Sequence, residues 1–147
     1  DPASPNSIEP GKRPAHTLNA FTAVNADGTL HLVGGTPGAN IQVQTNLQLI
    51  VNIVDLKMNV QEATEAPRWQ HLNAPGQSSA DETGNGVLEI ENRVSAAVLD
   101  QLRTKGHDVK PLTEWGHGSS VQLMQVLANK TYAFGSDPRC EGHACGI

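Results

Sequence analysis

The spacing of apolar positions changes along the chain, and this change predicts both strands and helices. Segments typical of strands are predicted at 18–24, 29–33, 87–94, 107–112, 121–127 and 131–134. Turn residues at 25–28 and 128–130 join two pairs of these strands into hairpins. Helical spacing over 40–56 predicts a long, largely buried helix, with one face formed by Val43, Leu47, Ile50, Val51 and Val54.

Two shorter helices are predicted mainly from residues that typically begin or end a helix. Asn59 and Glu62 match a capping box, and Pro67 ends the helix that they begin. Ser95 begins the other helix and Gly106 closes it. The order is two strands, two helices, a strand, a helix and three strands. Hairpins with buried helices predict an α+β fold, an antiparallel sheet with packed helices, rather than a doubly wound parallel sheet.

Two segments show no regular pattern. Residues 1–14 contain four prolines and are predicted to be an extended connector, leaving 15–147 as the folded part. Residues 73–86 are rich in Gly, Ser and Asn and are predicted to be a surface loop. The chain starts at Asp1 rather than Met, which suggests a piece of a longer polypeptide.

Composition narrows the class of protein. The 147 residues fit one domain, and 37% hydrophobic with 17% charged residues argues against disorder. The net charge of -5 and the scattered basic residues disfavour a nucleic-acid partner. No apolar run approaches the roughly 20 residues of a membrane-spanning helix, so no membrane partner is expected. The compartment stays open between a periplasmic or secreted and a cytoplasmic location.

The two cysteines, Cys140 and Cys145, form either a close disulfide or two free thiols. His143 lies between them, but structural zinc needs four ligands and the chain has no further cysteine. We therefore expect no metal and no cofactor.

The turn at 34–40 is the first candidate for chemistry. It leads directly into the long predicted helix, where backbone N–H groups lack internal partners and attract negative charge. Gly38 permits close approach of the backbone to a ligand. The segment suits an oxyanion hole or a carboxylate site, although a plain strand-to-helix turn has the same pattern.

Other polar residues are weaker candidates for a functional site. His16 and Thr17 precede the first strand, where they either face a ligand or cap the strand. Asp137 and Arg139 fit a turn with a structural ion pair. Four further histidines are predicted to be surface or hydrogen-bonded core residues: His31, His71, His107 and His117.

Six motifs, in order from Gly11, resemble the gamma-glutamyltransferase family. The first two are Gly11-Lys12-Arg13-Pro14, followed by His16-Thr17-Leu18, and the turn Gly35-Thr36-Pro37-Gly38-Ala39, which resembles a Gly-Ser-Pro-Gly-Gly loop. The other four are the helix 44–58, the run Met58–Ala63 with Ala66-Pro67-Arg68, the element Leu102–His107, and Gly135-Ser136-Asp137-Pro138-Arg139.

This resemblance implies an N-terminal nucleophile hydrolase with an αββα sandwich, of which 15–147 would be the C-terminal portion of the small, catalytic subunit. In that family a precursor cuts itself, and the newly exposed Thr attacks a gamma-glutamyl amide with its own amine as base. That Thr lies upstream of the segment resembling Gly11–Pro14. The chain therefore lacks the nucleophile, and we expect the 147 residues alone to be inactive.

The resemblance also assigns roles within the chain. Gly38 and Ala39 match the pair whose backbone amides form the oxyanion hole. Because alanine does not readily adopt a positive φ, we expect the turn to differ in shape from its glycine counterpart. His16 and Thr17 fall where two serines hold the substrate's carboxylate. A His-Thr pair resembles a less-studied branch of the family, which implies that the substrate could be a small acyl amide other than glutathione.

The implied partners are a large subunit, or the remainder of the precursor, and a small gamma-glutamyl or acyl amide. Two alternatives stay open. The chain could come from a catalytically dead member that serves as a structural or binding module, or it could be an independent domain of unrelated function. A Thr or Ser at an upstream self-cleavage site would favour the enzyme.

Overall fold

The computed structural model describes residues 4–5, 7–14, 16–72 and 86–145. Within these ranges seven strands and three α-helices form in the following order: β1 Phe21–Val24, β2 Leu30–Gly35, a short 3-10 turn Ala39–Ile41, α1 Gln42–Val54, α2 Val60–Glu65, β3 Trp69–Leu72, β4 Val87–Glu91, α3 Ala96–Thr104, β5 Asp108–Leu112, β6 Gln122–Val126 and β7 Tyr132–Ser136. The predicted surface loop lies outside the described residues except for Gly86.

The strands form two sheets. Sheet A has the order β1–β2–β6–β7 and is antiparallel throughout. Sheet B has the order β3–β4–β5, in which β3 and β4 are antiparallel while β4 and β5 are parallel and connected through α3. The α+β class, with helices packed on antiparallel strands, is confirmed. The parallel pair departs from the predicted antiparallel sheet. Strands β4 and β5 run parallel because α3 crosses over between them.

Each sheet has its own core. Helices α1 and α2 bury one face of sheet A, in a cluster of Leu32, Leu49, Ile53, Val60, Ala63, Val121 and Leu123. The backbone of α2 lies so close to β7 that a Cβ on Gly135 would come within 2.5 Å of the Val60 carbonyl oxygen. Helix α3 buries sheet B through Leu88, Ile90, Leu99 and Val109.

The capping box that begins α2 is present. Asn59 Oδ1 accepts hydrogen bonds from the Gln61 and Glu62 amides, and the Glu62 carboxylate accepts from the Asn59 amide at 2.9 Å. These bonds satisfy donors that the first turn of a helix leaves unpaired.

The predicted buried face of α1 is wrong. Val43, Leu47 and Val54 are exposed, with 62%, 54% and 42% of their surface accessible. The buried face is instead formed by Gln42, Thr45, Asn46, Leu49 and Ile53. One of its polar side chains, Asn46, donates a hydrogen bond from Nδ2 to the Asn19 carbonyl of a neighbouring segment.

Strand β3 was not predicted, because its sequence, Trp69-Gln70-His71-Leu72, is too polar to show alternation. Two glutamines of α1 complete its hydrogen bonding. The Gln48 side chain accepts from the Trp69 amide and donates to the Trp69 carbonyl, and Gln44 does the same with His71. Their i, i+4 spacing on the helix matches alternate residues of the strand, so α1 covers the free edge of sheet B.

Candidate functional site

The turn between β2 and α1 carries the first pair of predicted site residues. We call residues 35–39 the glycine turn. Gly38 has φ of 141°, and a Cβ there would lie 2.6 Å from the Ile41 side chain, so only glycine fits without a shift. Ala39 has φ of 47°. The expectation that alanine would avoid a positive φ is therefore wrong, and Ala39 keeps a conformation that costs an L-residue about 1–2 kcal/mol.

The amides of the glycine turn are available to a ligand. Within the described parts of the chain, neither the Gly38 nor the Ala39 N–H donates a hydrogen bond to a protein acceptor. The turn runs through the 3-10 segment into α1, so the two donors lie at the positive end of a helical stretch. Such a pair can stabilise a negatively charged oxygen.

The Thr36 side chain, within the glycine turn, bonds the turn to a neighbouring segment. Its Oγ1 accepts from the Ser120 amide at 3.0 Å and donates to the Pro37 carbonyl at 2.8 Å. The side chain is largely buried, with 8% of its surface exposed. The hydroxyl thereby fixes the turn to the segment that leads into β6.

The second pair of predicted site residues, His16 and Thr17, lies on an irregular, exposed segment before β1. Its neighbour Ala20 packs against the glycine turn, since a Cβ built on Gly35 would lie 3.3 Å from the Ala20 Cα. The structure thus places Ala20, at the C-terminal end of the 16–20 segment, against Gly35 at the start of the glycine turn. Asn46 of α1 also contacts this segment, through a 2.7 Å hydrogen bond from Nδ2 to the Asn19 carbonyl.

A shallow groove adjoins both segments on the face of sheet A away from the helices. Ala20 and Gly35 form one end of it, and Met124 and Phe134 contribute apolar surface. His143 also lines the groove.

Four buried charged residues join the two sheets, and we call them the ion cluster: Arg68, Glu91, Asp137 and Arg139. Asp137 accepts from both arginines, and Arg139 donates to the two oxygens of Glu91 at 2.6 Å each. This two-pronged geometry is the strongest form of an arginine–carboxylate contact. The two residues predicted from sequence to be structural, Asp137 and Arg139, both belong to the cluster.

Both carboxylates of the ion cluster are held in their charged form. Burial would raise the pKa of Glu91, but hydrogen bonds from Arg139, from the Arg68 amide and from Arg93 hold that pKa at about 2. Burial also opposes ionisation of Asp137, yet the charge of Arg68 keeps the Asp137 pKa below its ordinary value. Paired in this way, the four groups suit a structural role rather than proton transfer.

His117 and Ser119 form a buried pair beside the cluster. Ser119 Oγ accepts from Arg68 at 2.8 Å, so the hydroxyl proton is directed to His117 Nδ1 at 2.7 Å. The Ser119 amide also donates to Nδ1, which assigns the imidazole proton to Nε2. Burial, and then the Arg68 charge, lower the His117 pKa to about 4. With 3% and 2% of their surfaces exposed, the pair has no access to a substrate.

Sequence reasoning missed Glu91 and Ser119. No local pattern could reveal them, because Glu91 and Arg139 are 48 residues apart and Ser119 and Arg68 are 51 apart.

The structure also describes the cysteines, the side chains that could bind a metal, and the lengths of the helices. Cys140 and Cys145 are free thiols. Across the described ranges, no three His, Cys, Asp or Glu side chains come together in a way that could hold a metal ion. In the same residues, no helix combines the length and apolar content needed to cross a membrane.

Comparison with known proteins gives a consistent result. The profile of the gamma-glutamyltranspeptidase family matches residues 1–147. The glutathione hydrolase proenzyme of Escherichia coli is 36% identical over 91% of this chain and 21% of its own length. The oxamate amidohydrolase proenzyme of Klebsiella pneumoniae is 33% identical over 99% of this chain and 26% of its own length. The chain thus spans about a quarter or less of these relatives.

Solved structures agree. An acivicin-inhibited gamma-glutamyltranspeptidase superposes with a TM-score of 0.73 and 29% identity, over 93% of this chain and 68% of that chain. A cephalosporin acylase from Bacillus halodurans superposes with a TM-score of 0.73 and 26% identity, over 97% of this chain and 26% of that chain.

Proposed function

This chain belongs to the gamma-glutamyltranspeptidase family, and from that membership we propose that it forms the acyl-oxygen-binding part of an amide-cleaving enzyme. The enzyme would cleave or transfer gamma-glutamyl or related acyl groups. The nucleophilic Thr would lie on the preceding part of a longer precursor, and the remainder of that precursor would complete the pocket.

The observation that carries this proposal is that the amides of Gly38 and Ala39 donate no hydrogen bond to another described residue. When a nucleophile attacks an amide carbonyl, the oxygen becomes negatively charged, and two fixed donors stabilise it more than they stabilise the neutral substrate. A donor of this kind contributes about 3 kcal/mol to transition-state stabilisation. Ala39 supplies the same N–H as glycine, and its φ of 47° lies in the left-handed region that glycine adopts freely.

The reaction then needs little further from this chain. The Thr hydroxyl would attack the carbonyl carbon while its own α-amine takes the hydroxyl proton. Collapse of the tetrahedral intermediate would break the C–N bond, and the leaving amine would receive that proton. Water or an acceptor amine would then release the acyl group from the ester.

The 16–20 segment supports a substrate with a carboxylate at the end of its acyl part. The Thr17 hydroxyl could donate to that carboxylate, and His16 could add a second donor. Both residues are exposed, which leaves them accessible to a small acid. Relatives named for glutathione hydrolysis and for oxamate hydrolysis support amides of small acids as the substrate class.

The test compares two glycines in the longer polypeptide. We predict that Gly38→Ala lowers kcat about 100-fold with a small change in KM, because a Cβ that collides with Ile41 shifts the donors. The matched control is Gly28→Ala, since Gly28 also has a positive φ of 83° but has open space around it.

The assay follows release of amine from a gamma-glutamyl anilide and ammonia from a short-chain acid amide. The 147-residue chain alone is the blank, because the proposed nucleophilic Thr would lie outside it. Equal kcat values for the two variants, or turnover by the blank, would contradict the proposal. Absence of turnover of both substrates by the unsubstituted, self-cleaved protein would favour a structural or binding module instead.

A further inference from the structure

The buried face of α1 carries polar side chains near its start. Thr45 and Asn46 are 0% and 6% exposed. Asn46 directs its amide nitrogen to the Asn19 carbonyl at 2.7 Å, while Asn46 Oδ1 has no hydrogen-bond donor among the described residues. Burying an amide is costly unless it is bonded, so the bond to Asn19 determines how this side chain is oriented.

The 16–20 segment has few other attachments. His16, Thr17 and Leu18 are exposed, and Leu18 has 78% of its surface accessible. Across the described ranges, the bond from Asn46 is the only side-chain hydrogen bond made to this segment. The remaining restraints lie at its C-terminal end, where Ala20 contacts Gly35 and Phe21 pairs with Gly34. Without Asn46, the backbone two residues after Thr17 would lose its attachment to α1.

We infer that Asn46 is a positioning residue that sets the distance between the two halves of the proposed site. The helix that bears Asn46 starts directly from the glycine turn, so one rigid element connects the oxyanion donors to the 16–20 segment. Asn46 would act through Asn19 on Thr17 and His16, without touching substrate itself. This inference rests on the proposed function, because it needs the 16–20 segment to bind the substrate's carboxylate.

Such a role predicts a particular kinetic signature. The carboxylate contact is made equally in the ground state and in the transition state, because it lies away from the reacting carbonyl. Loosening it therefore raises KM and leaves kcat nearly unchanged. A shift of the glycine turn, in contrast, lowers kcat.

Helix α1 contains a matched control. Gln48 is also a partly buried amide whose bonds go to a backbone segment, but that segment is β3 rather than residues 16–20. A general loss of helix anchoring would affect both positions alike. Only a positioning role separates Asn46 from Gln48.

The experiment uses the longer self-cleaved protein with Asn46→Leu, Asn46→Ala and Gln48→Leu. We expect the Asn46 variants to raise KM about tenfold for a substrate with a free carboxylate on its acyl part, with kcat within about twofold. Gln48→Leu should leave KM unchanged at any temperature at which the protein is folded. The Asn46→Ala variant keeps the test valid if the leucine of Asn46→Leu does not fit into the space around position 46.

A second measurement does not depend on turnover. Peptide-level hydrogen exchange should speed up over residues 16–20 in the Asn46 variants but not in Gln48→Leu. Equal KM values, or exchange at 16–20 that is unchanged in the Asn46 variants, would overturn the inference. If the unsubstituted protein turns over no amide while exchange still separates the variants, the proposed function fails and the anchoring by Asn46 stands as structural only.

Discussion

The Thr36 side chain links the glycine turn to the segment before β6. Replacing it with valine keeps the shape but removes the hydroxyl, which leaves the partly buried Ser120 amide without its acceptor. An unsatisfied group of this kind costs about 1–3 kcal/mol, so we predict that Thr36→Val lowers the free energy of unfolding by that amount. Urea titration measures it.

Serine at the same position is the control, because Thr36→Ser keeps the hydroxyl and its two bonds. It should lie within about 1 kcal/mol of the unsubstituted chain. A valine variant as stable as the serine variant would show that the hydrogen bond from Ser120 contributes nothing to holding the turn.

At the same scale, sequence reasoning predicts an oxyanion role for Gly38 and Ala39 from a local motif and a family resemblance, and that role stays a prediction. Sequence reasoning gave the wrong expectation for the conformation of Ala39, because the backbone there is held by its surroundings rather than by alanine's own preference. The role of Glu91 could not be predicted from the sequence, because its partners are brought together only by the packing of the two sheets.

Among the elements, α1 shows why spacing alone misled. Its apolar positions form a regular face, yet Leu47 is 54% exposed whereas Leu49 is 1% exposed. In the 147-residue chain we predict that Leu49→Ala lowers the free energy of unfolding by about 2–5 kcal/mol. Leu47→Ala should change it by no more than about 0.5 kcal/mol.

Chemical denaturation of the two variants decides between the faces. Similar losses at both positions would contradict the assignment of Leu47 to an exposed face. The exposed face carries apolar surface at Val43 and Leu47, and the proenzyme of Klebsiella pneumoniae that this chain resembles is about four times as long as the chain.

The same helix explains the missing strand. Periodicity detects elements that bury apolar side chains, and β3 is secured instead by strand β4 and by the two side-chain amides of α1. The second helix was predictable because its capping box is contained within four residues. Local signals therefore predicted the elements other than β3, whereas pairings between distant backbone and side-chain groups decided how they assemble.

For the whole molecule, the groups between the two sheets couple stability to pH. His117 has its pKa lowered from the ordinary 6.5 to about 4, and Glu91 from 4.5 to about 2. Both groups take up a proton more readily in the unfolded chain than in the fold. The unfolded state is therefore favoured as the pH falls, first between about 6.5 and 4 through His117 and then between about 4.5 and 2 through Glu91.

We predict that the free energy of unfolding decreases steadily on acidification below pH 6.5, with each group contributing on the order of 3 kcal/mol over its window. The measurement is the urea midpoint at pH 7, 5.5 and 4.5. His117→Gln removes the first group, so its curve should be flatter between pH 6.5 and 4.5 than that of the unsubstituted chain. Parallel curves would contradict a buried, neutral His117, because the imidazole would then titrate alike in the folded and unfolded states.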